Sequence, residues 1–169
     1  MIKEVDRRQE LIQTIDKTIA RLKGKKSMKD QELYYGFSQE KQEEYEKYIG
    51  NRFSKKGADL VSESKRRVKE WKKEDWEAVN RESDELHRLL TEAMKKGFKP
   101  TSTEVQSLIG KHFQWVHRFY TPNKDVYIGL GQLYVEHADF RKLYDSYHPH
   151  LADFMAKAMK EFANREIAQ

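Results

Sequence analysis

The aromatic side chains are the residues of this sequence best suited to a chemical role, and that role is the binding of a ligand. Residues 119–162 hold nine Phe or Tyr, about twice the density found in the whole chain. Two adjoining segments repeat rings at helical spacing: His112, Trp115 and Phe119 lie three and four apart, and Tyr127 and Tyr134 lie seven apart. Two neighbouring helices with ring-bearing faces predict a shared aromatic cleft, and the alternative is that both faces form ordinary core.

Two glycines stand inside the second of these segments, in the sequence GLG at Gly129 and Gly131. Each glycine within a helix costs about 1 kcal/mol relative to alanine, so the pair needs a physical reason. Either a neighbouring helix backbone approaches closely at this point, or a bound molecule needs the space. The two explanations are compatible, and both place Gly131 beside the predicted cleft.

Catalytic and metal-binding patterns are weak. His148 and His150 flank a proline, and the spacing of His112 and His117 matches no helical two-histidine metal motif. The chain has no cysteine, which excludes thiolate catalysis and Cys-based zinc sites. Nucleophile triads and glycine-rich phosphate loops are missing from the pattern. We therefore expect no enzyme activity, no metal and no cofactor.

Composition places the chain among helical, cytoplasmic proteins. Its 169 residues suffice for one core, and charged residues make up 36% with a net charge of +5. It has no run of about 18 apolar residues, so we expect no membrane span. The absence of cysteine also fits a reducing cytoplasm.

Helical signals dominate from Lys73 onward, and no alternating strand pattern appears, so the predicted class is all-α. Gly97 predicts the end of a long helix. Thr101 with Glu104 resembles a capping box that would start the next helix. Thr121 followed by a proline predicts the start of another.

The N-terminal segment has the period of a coiled coil. Apolar residues fall at seam spacing over two and a half heptads, which predicts the C-terminal part of a dimerisation helix over residues 1–24. The alternative is an amphipathic helix packed on its own domain. The predicted seam consists of Val5, Ile12, Ile15, Ile19 and Leu22.

The remaining chain divides into two parts. Residues 25–71 have few apolar anchors and predict a linker and a lid that is mobile in the empty protein, with a short helix over 39–49, a loop over 51–57 and a basic helix over 58–71. Residues 72–169 predict a helical ligand-binding core.

Several segments together resemble one family. The order KEDW, then GLGQLYVEHADF, then LADFMAKAMKEF is similar to the TipAS-type antibiotic-recognition domain of MerR-family transcription regulators, and LIQTIDKTIARLKG extends the similarity upstream to cover about residues 10–165. The resemblance implies a globin-like helical fold without haem that closes around bulky, multi-ring antibiotics. It also implies a homodimer through the coiled coil, and DNA contact only through a winged-helix domain that this sequence lacks.

One departure limits what the resemblance implies. The thiopeptide-sensing member of the family traps its ligand through cysteine, whereas this chain has none. We therefore expect non-covalent binding of hydrophobic or aromatic antibiotics by the effector domain of a regulator. The alternatives are a stand-alone drug-sequestering protein and a helical dimerisation module.

The predicted ligand contacts combine the ring-bearing helices with residues from the lid. Rings offer large contact area at small rotamer cost, and phenol tips can bond polar ligand edges. The predicted site consists of Tyr45, Trp71, Trp76, His112, Trp115, Phe119, Tyr120, Tyr127, Gly131 and Tyr134.

Overall fold

The computed structural model of the chain describes residues 39–167, without the side chains of residues 39–42, 45, 54 and 55. Within this range the chain forms helices and no strand, which confirms the all-α prediction. The six helices are α1 (Gln39–Val68), α2 (Lys73–Lys95), α3 (Thr103–His117), α4 (Lys124–Glu136), α5 (Ala138–Asp145) and α6 (Leu151–Glu166). The predicted dimer seam lies outside the described residues. None of the described helices is long and apolar enough to cross a membrane.

Helix α6 packs against α2, α3, α4 and α5, most extensively against α4, and α3 also packs against α2. Gly131 permits the packing of α4 on α6, because a Cβ at this position would lie only 3.1 Å from the Cα of Ala156. Close helix packing is therefore the physical reason for this glycine.

Helix ends follow the sequence signals only in part. Gly97 ends α2 with a positive φ of 81°, as predicted, since glycine adopts this conformation without steric cost. Helix α3 begins one residue later than the capping box predicted, with Ser102 and not Thr101 as its N-cap. Helix α4 begins two residues later than predicted. Its N-cap is Asn123, whose side chain accepts a bond from the N–H of Val126.

Helix α1 is helical throughout its 30 residues, yet it cannot be straight. A straight helix would separate Glu46 from Lys65 by about 28 Å, whereas their side chains form an ion pair with an N–O distance of 2.7 Å. The chain therefore folds back on itself between these residues. The two arms meet at glycines: a Cβ on Gly57 would overlap the carbonyl oxygen of Ile49 and lie 3.1 Å from the Cα of Gly50.

The predicted loop over residues 51–57 is thus wrong in conformation, because these residues are helical. The chain nevertheless reverses direction between Glu46 and Lys65, a stretch that contains these residues. We refer to residues 39–68, folded in this way, as the α1 hairpin.

Candidate ligand-binding site

A cavity of about 90 Å³ lies between the α1 hairpin and helices α4 and α5. Its walls are mainly aliphatic and aromatic, as is usual for small-molecule sites. The lining residues are Glu46, Ile49, Phe53, Leu60, Val61, Ser64 and Lys65 from the hairpin, Tyr120 before α4, Val126, Leu130, Leu133 and Tyr134 from α4, and Phe140 from α5.

Gly129 allows the α1 hairpin to pack closely on α4. A Cβ on Gly129 would lie 2.5 Å from the ring of Phe53, so only glycine leaves room for this ring on α4. Because Phe53 also lines the cavity, Gly129 determines how closely the hairpin covers the site. Close packing therefore accounts for both glycines of the GLG sequence, against the backbone of α6 at Gly131 and against the ring of Phe53 at Gly129.

Arg52 fastens one part of the hairpin to the end of α4. Its guanidinium donates to the carboxylate of Glu136 and, at 3.0 Å, to the side-chain oxygen of Gln132. It also donates at 3.0 Å to the hydroxyl of Tyr48. The bond from Arg52 lowers the pKa of the Glu136 carboxyl, which keeps this partner charged.

Arg67 fastens the other arm to the end of α3. Its guanidinium donates to the carbonyl oxygen of His117, to the carboxylate of Glu63, and at 2.6 Å to the hydroxyl of Thr121. A cation at a helix C-terminus is also favoured by the helix dipole. Polar contacts at two separate places thus hold the hairpin over the cavity.

A buried hydrogen-bond network lies behind the cavity and contains three of the predicted site residues. His112 Nδ1 is 2.8 Å from the hydroxyl of Tyr127, and His112 Nε2 is 3.3 Å from the hydroxyl of Tyr134. The Tyr127 hydroxyl donates to the carbonyl oxygen of Ile109 at 3.4 Å. A neutral His112 protonated on Nδ1 therefore donates to Tyr127 and accepts from Tyr134.

Burial sets the ionisation of this network. It lowers the pKa of His112 to about 3, with a smaller contribution from the nearby His87. Burial also lowers the pKa of His87 to about 4, against an opposing effect of Asp84, and raises the pKa of Tyr127. Both histidines are therefore neutral near pH 7, as a desolvated imidazole should be.

Four other predicted site residues form a packed aromatic cluster. Trp71 contacts Trp76 and Phe119 with centroid distances of 4.9 and 5.4 Å, and Trp115 contacts Phe119 at 4.9 Å. The indole N–H of Trp115 donates to the carbonyl oxygen of Val79 at 3.0 Å. This cluster joins the end of the hairpin to the core and does not line the cavity.

The cavity therefore lies elsewhere than the sequence predicted. The ring-bearing faces of α3 and α4 do meet, but they meet in filled interior, where Tyr127 is fully buried. Of the predicted site residues, Tyr120 and Tyr134 line the cavity, and Gly131 packs on α6. Tyr45 lies in α1, and its side chain is outside the description.

Sequence reasoning missed the hairpin side of the cavity and its aliphatic α4 wall. Val126, Leu130 and Leu133 follow helical spacing, which alone indicates only an apolar face. Gly50 and Gly57 were the available signal for the hairpin, since glycines let helices cross closely. Within residues 39–167, no group of three or more His, Asp or Glu is arranged to hold a metal ion.

The fold and the cavity define an all-α domain with an apolar site under a helical hairpin. The model of the TipAS antibiotic-recognition domain family matches residues 45–162, and the chain belongs to this family. This result confirms the resemblance found in the sequence.

Relatives with this domain are transcriptional regulators. The chain is 29% identical to the HTH-type transcriptional regulator SkgA of Caulobacter vibrioides (strain NA1000 / CB15N), over 95% of this chain and 64% of that protein. It is 27% identical to the HTH-type transcriptional activator mta of Bacillus subtilis (strain 168), over 94% of this chain and 62% of that protein. The chain thus spans less than two thirds of the length of these relatives.

A solved structure is also similar to this chain. It is TipAS from Streptomyces lividans in complex with nosiheptide, from a thiopeptide antibiotic multidrug resistance system. The match has a TM-score of 0.68 and 25% identity, and it covers 84% of this chain and 96% of that one. An antibiotic-binding domain therefore shares the arrangement of helices seen here.

Proposed function

We propose that this chain is the effector-sensing domain of a MerR-type transcription regulator, and that it binds hydrophobic antibiotics or drugs in the cavity under the α1 hairpin. The observation that carries the proposal is the apolar cavity between the hairpin and α4, in a chain of the TipAS family. The domain binds its ligand and does not transform it, since its relatives are regulators.

Binding at this site is non-covalent. The chain contains no cysteine, and the cavity wall is formed mainly by aliphatic and ring side chains. Of the residues predicted from the sequence, Tyr120 and Tyr134 contact the ligand in this proposal. Trp76, Trp115 and Tyr127 act indirectly, by fixing the packing of the helices that form the wall.

The hairpin acts as the lid of the site, and residues 72–169 form its core. Phe53 covers the cavity from above Gly129, while Arg52 and Arg67 hold the two arms in place. Surface ion pairs and hydrogen bonds of this kind contribute only about 0–1 kcal/mol each. A ligand that adds apolar contacts to the hairpin therefore shifts it toward the closed position.

The lid also offers a route for the signal. The hairpin follows residues 1–24, the predicted dimerisation helix, so a change in the hairpin is passed to the segment that pairs two subunits. DNA contact belongs to a separate domain of the regulator, and the protein acts in the cytoplasm.

A binding experiment with matched variants tests the site. The purified chain is titrated with nosiheptide and a panel of neutral hydrophobic antibiotics, and binding is measured by calorimetry and thermal shift. Leu130→Trp fills the cavity from α4, whereas Ile128→Trp places the same side chain on a partly buried position of the same helix outside the cavity. We expect at least tenfold weaker binding in the first variant and unchanged binding in the second.

Equal binding by both variants would place the ligand elsewhere, and a failure of every tested antibiotic to bind would refute the proposal.

A genetic comparison tests the regulatory part of the proposal. Deleting the coding sequence should abolish the transcriptional response of the cell to the bound drug. Lower drug tolerance with an unchanged transcript profile would instead indicate sequestration.

A further inference from the structure

We infer that the group recognised in the cavity is a single uncharged ring, aromatic or alicyclic, with any polar part of the ligand at the Glu46–Lys65 edge. This inference rests on the proposed function and specifies the ligand for the same site. It follows from the size of the cavity, the position of its charges and the direction of the Tyr134 hydroxyl.

The cavity volume limits what can enter while the hairpin is in place. The volume is about 90 Å³, whereas an engineered apolar cavity of about 150 Å³ holds one benzene molecule. The cavity therefore admits no more than one ring between the hairpin and α4, and a benzene-sized ring requires a small outward movement of the wall. A larger drug would insert one ring and leave the rest of its structure outside.

Charges on the cavity wall occur at one edge and neutralise each other. Glu46 and Lys65 are the charged residues among the described lining residues, and their ion pair has an N–O distance of 2.7 Å. A charged ligand group would have to break this pair or enter the apolar part without a partner. Burying an unpaired charge is strongly unfavourable, so the site selects a neutral group.

The same pair lies at a solvent-exposed part of the cavity wall. The Lys65 side chain is 55% exposed, and that of Glu46 is 19% exposed. The Tyr134 hydroxyl is directed to His112, so the ring of Tyr134 and not its hydroxyl is available to the ligand. The Glu46–Lys65 edge therefore offers partners to hydrogen-bonding groups of a ligand, whereas the Tyr134 hydroxyl does not.

A series of small probes with one ring tests the inference on the full 169-residue chain. Benzyl alcohol is neutral, benzoate is anionic and benzylammonium is cationic, and 9-anthracenemethanol adds two rings to the neutral probe. Calorimetry and ligand-observed NMR at pH 7 give the dissociation constants. We expect benzyl alcohol to bind at least tenfold more tightly than the two ions and the three-ring alcohol.

Substitutions that fill the cavity test whether benzyl alcohol binds there. Leu130→Trp should abolish benzyl alcohol binding and Ile128→Trp should retain it, with circular dichroism checking the fold of each variant. Val61→Trp fills the cavity from the hairpin side and provides a second test if Leu130→Trp does not fold.

The possible failures can be distinguished from failure of the proposed function. If nosiheptide or another large drug binds in a Leu130-dependent manner while benzyl alcohol does not, the single-ring inference is wrong and the proposed function stands. Equal affinity for the ions or for the three-ring alcohol also overturns it. If no probe and no drug binds, both proposals fail.

Discussion

Acid should destabilise this domain through its two buried histidines, and the effect can be calculated. Burial lowers the pKa of His112 to about 3 and that of His87 to about 4, from 6.5 in the unfolded chain. Between pH 6.5 and these folded values, the unfolded state binds protons that the folded state does not. The free energy of unfolding therefore decreases as the pH falls through this window.

The magnitude follows from the difference in proton binding. At pH 5, which lies above both folded pKa values, each histidine lowers the free energy of unfolding by about 2 kcal/mol relative to pH 7. Together they account for a loss of about 4 kcal/mol, a large fraction of the 5–15 kcal/mol typical of natural domains.

Urea unfolding followed by circular dichroism at pH 7, 6 and 5 measures this loss. His112→Gln removes one of the two buried imidazoles, so its stability should fall by about 2 kcal/mol less than that of the wild type over the same range. His150→Gln removes an exposed histidine and serves as the control. Identical pH dependence in His112→Gln and the wild type would refute the assignment of a buried, neutral His112.

Three further substitutions test the packing. Gly131→Ala should destabilise the fold by about 1–3 kcal/mol in urea unfolding, because its Cβ would press on α6, whereas Gly110→Ala has normal contacts and should be neutral or stabilising. Gly129→Ala should displace Phe53, and amide exchange should then rise within 39–68 while the core stays protected. Gly50→Ala, where a Cβ meets nothing within 4 Å, is its control. Arg67→Gln should likewise raise exchange in the hairpin, because it removes the guanidinium that donates to the carbonyl oxygen of His117 and the hydroxyl of Thr121.

The helical class, the core helices and the family could be predicted from the sequence. Apolar residues at helical spacing and Gly97 as a stop signal depend on local chemistry, which a single sequence records. The exact starts of α3 and α4 could not be predicted from the sequence, because several Ser, Thr and Asn residues compete as N-caps and tertiary packing selects among them.

The position of the cavity could not be predicted either. Ring spacing placed His112, Tyr127 and Tyr134 together, as they are in the structure, but spacing does not show whether a ring face borders a void or another ring. The cavity arises where the hairpin crosses α4. That crossing depends on the contact between Phe53 and Gly129, two residues that are 76 positions apart in the sequence.

Tyr134 belongs to two parts of the molecule at once, since its ring borders the cavity and its hydroxyl bonds to His112. A guest that presses on the ring and a proton that enters the imidazole therefore act on one side chain. Thermodynamic reciprocity then requires that each changes the affinity of the other by the same factor. Because burial lowers the pKa of His112 to about 3, the imidazole stays neutral at the internal pH of a cell, so the ligand affinity of the domain should not vary with that pH.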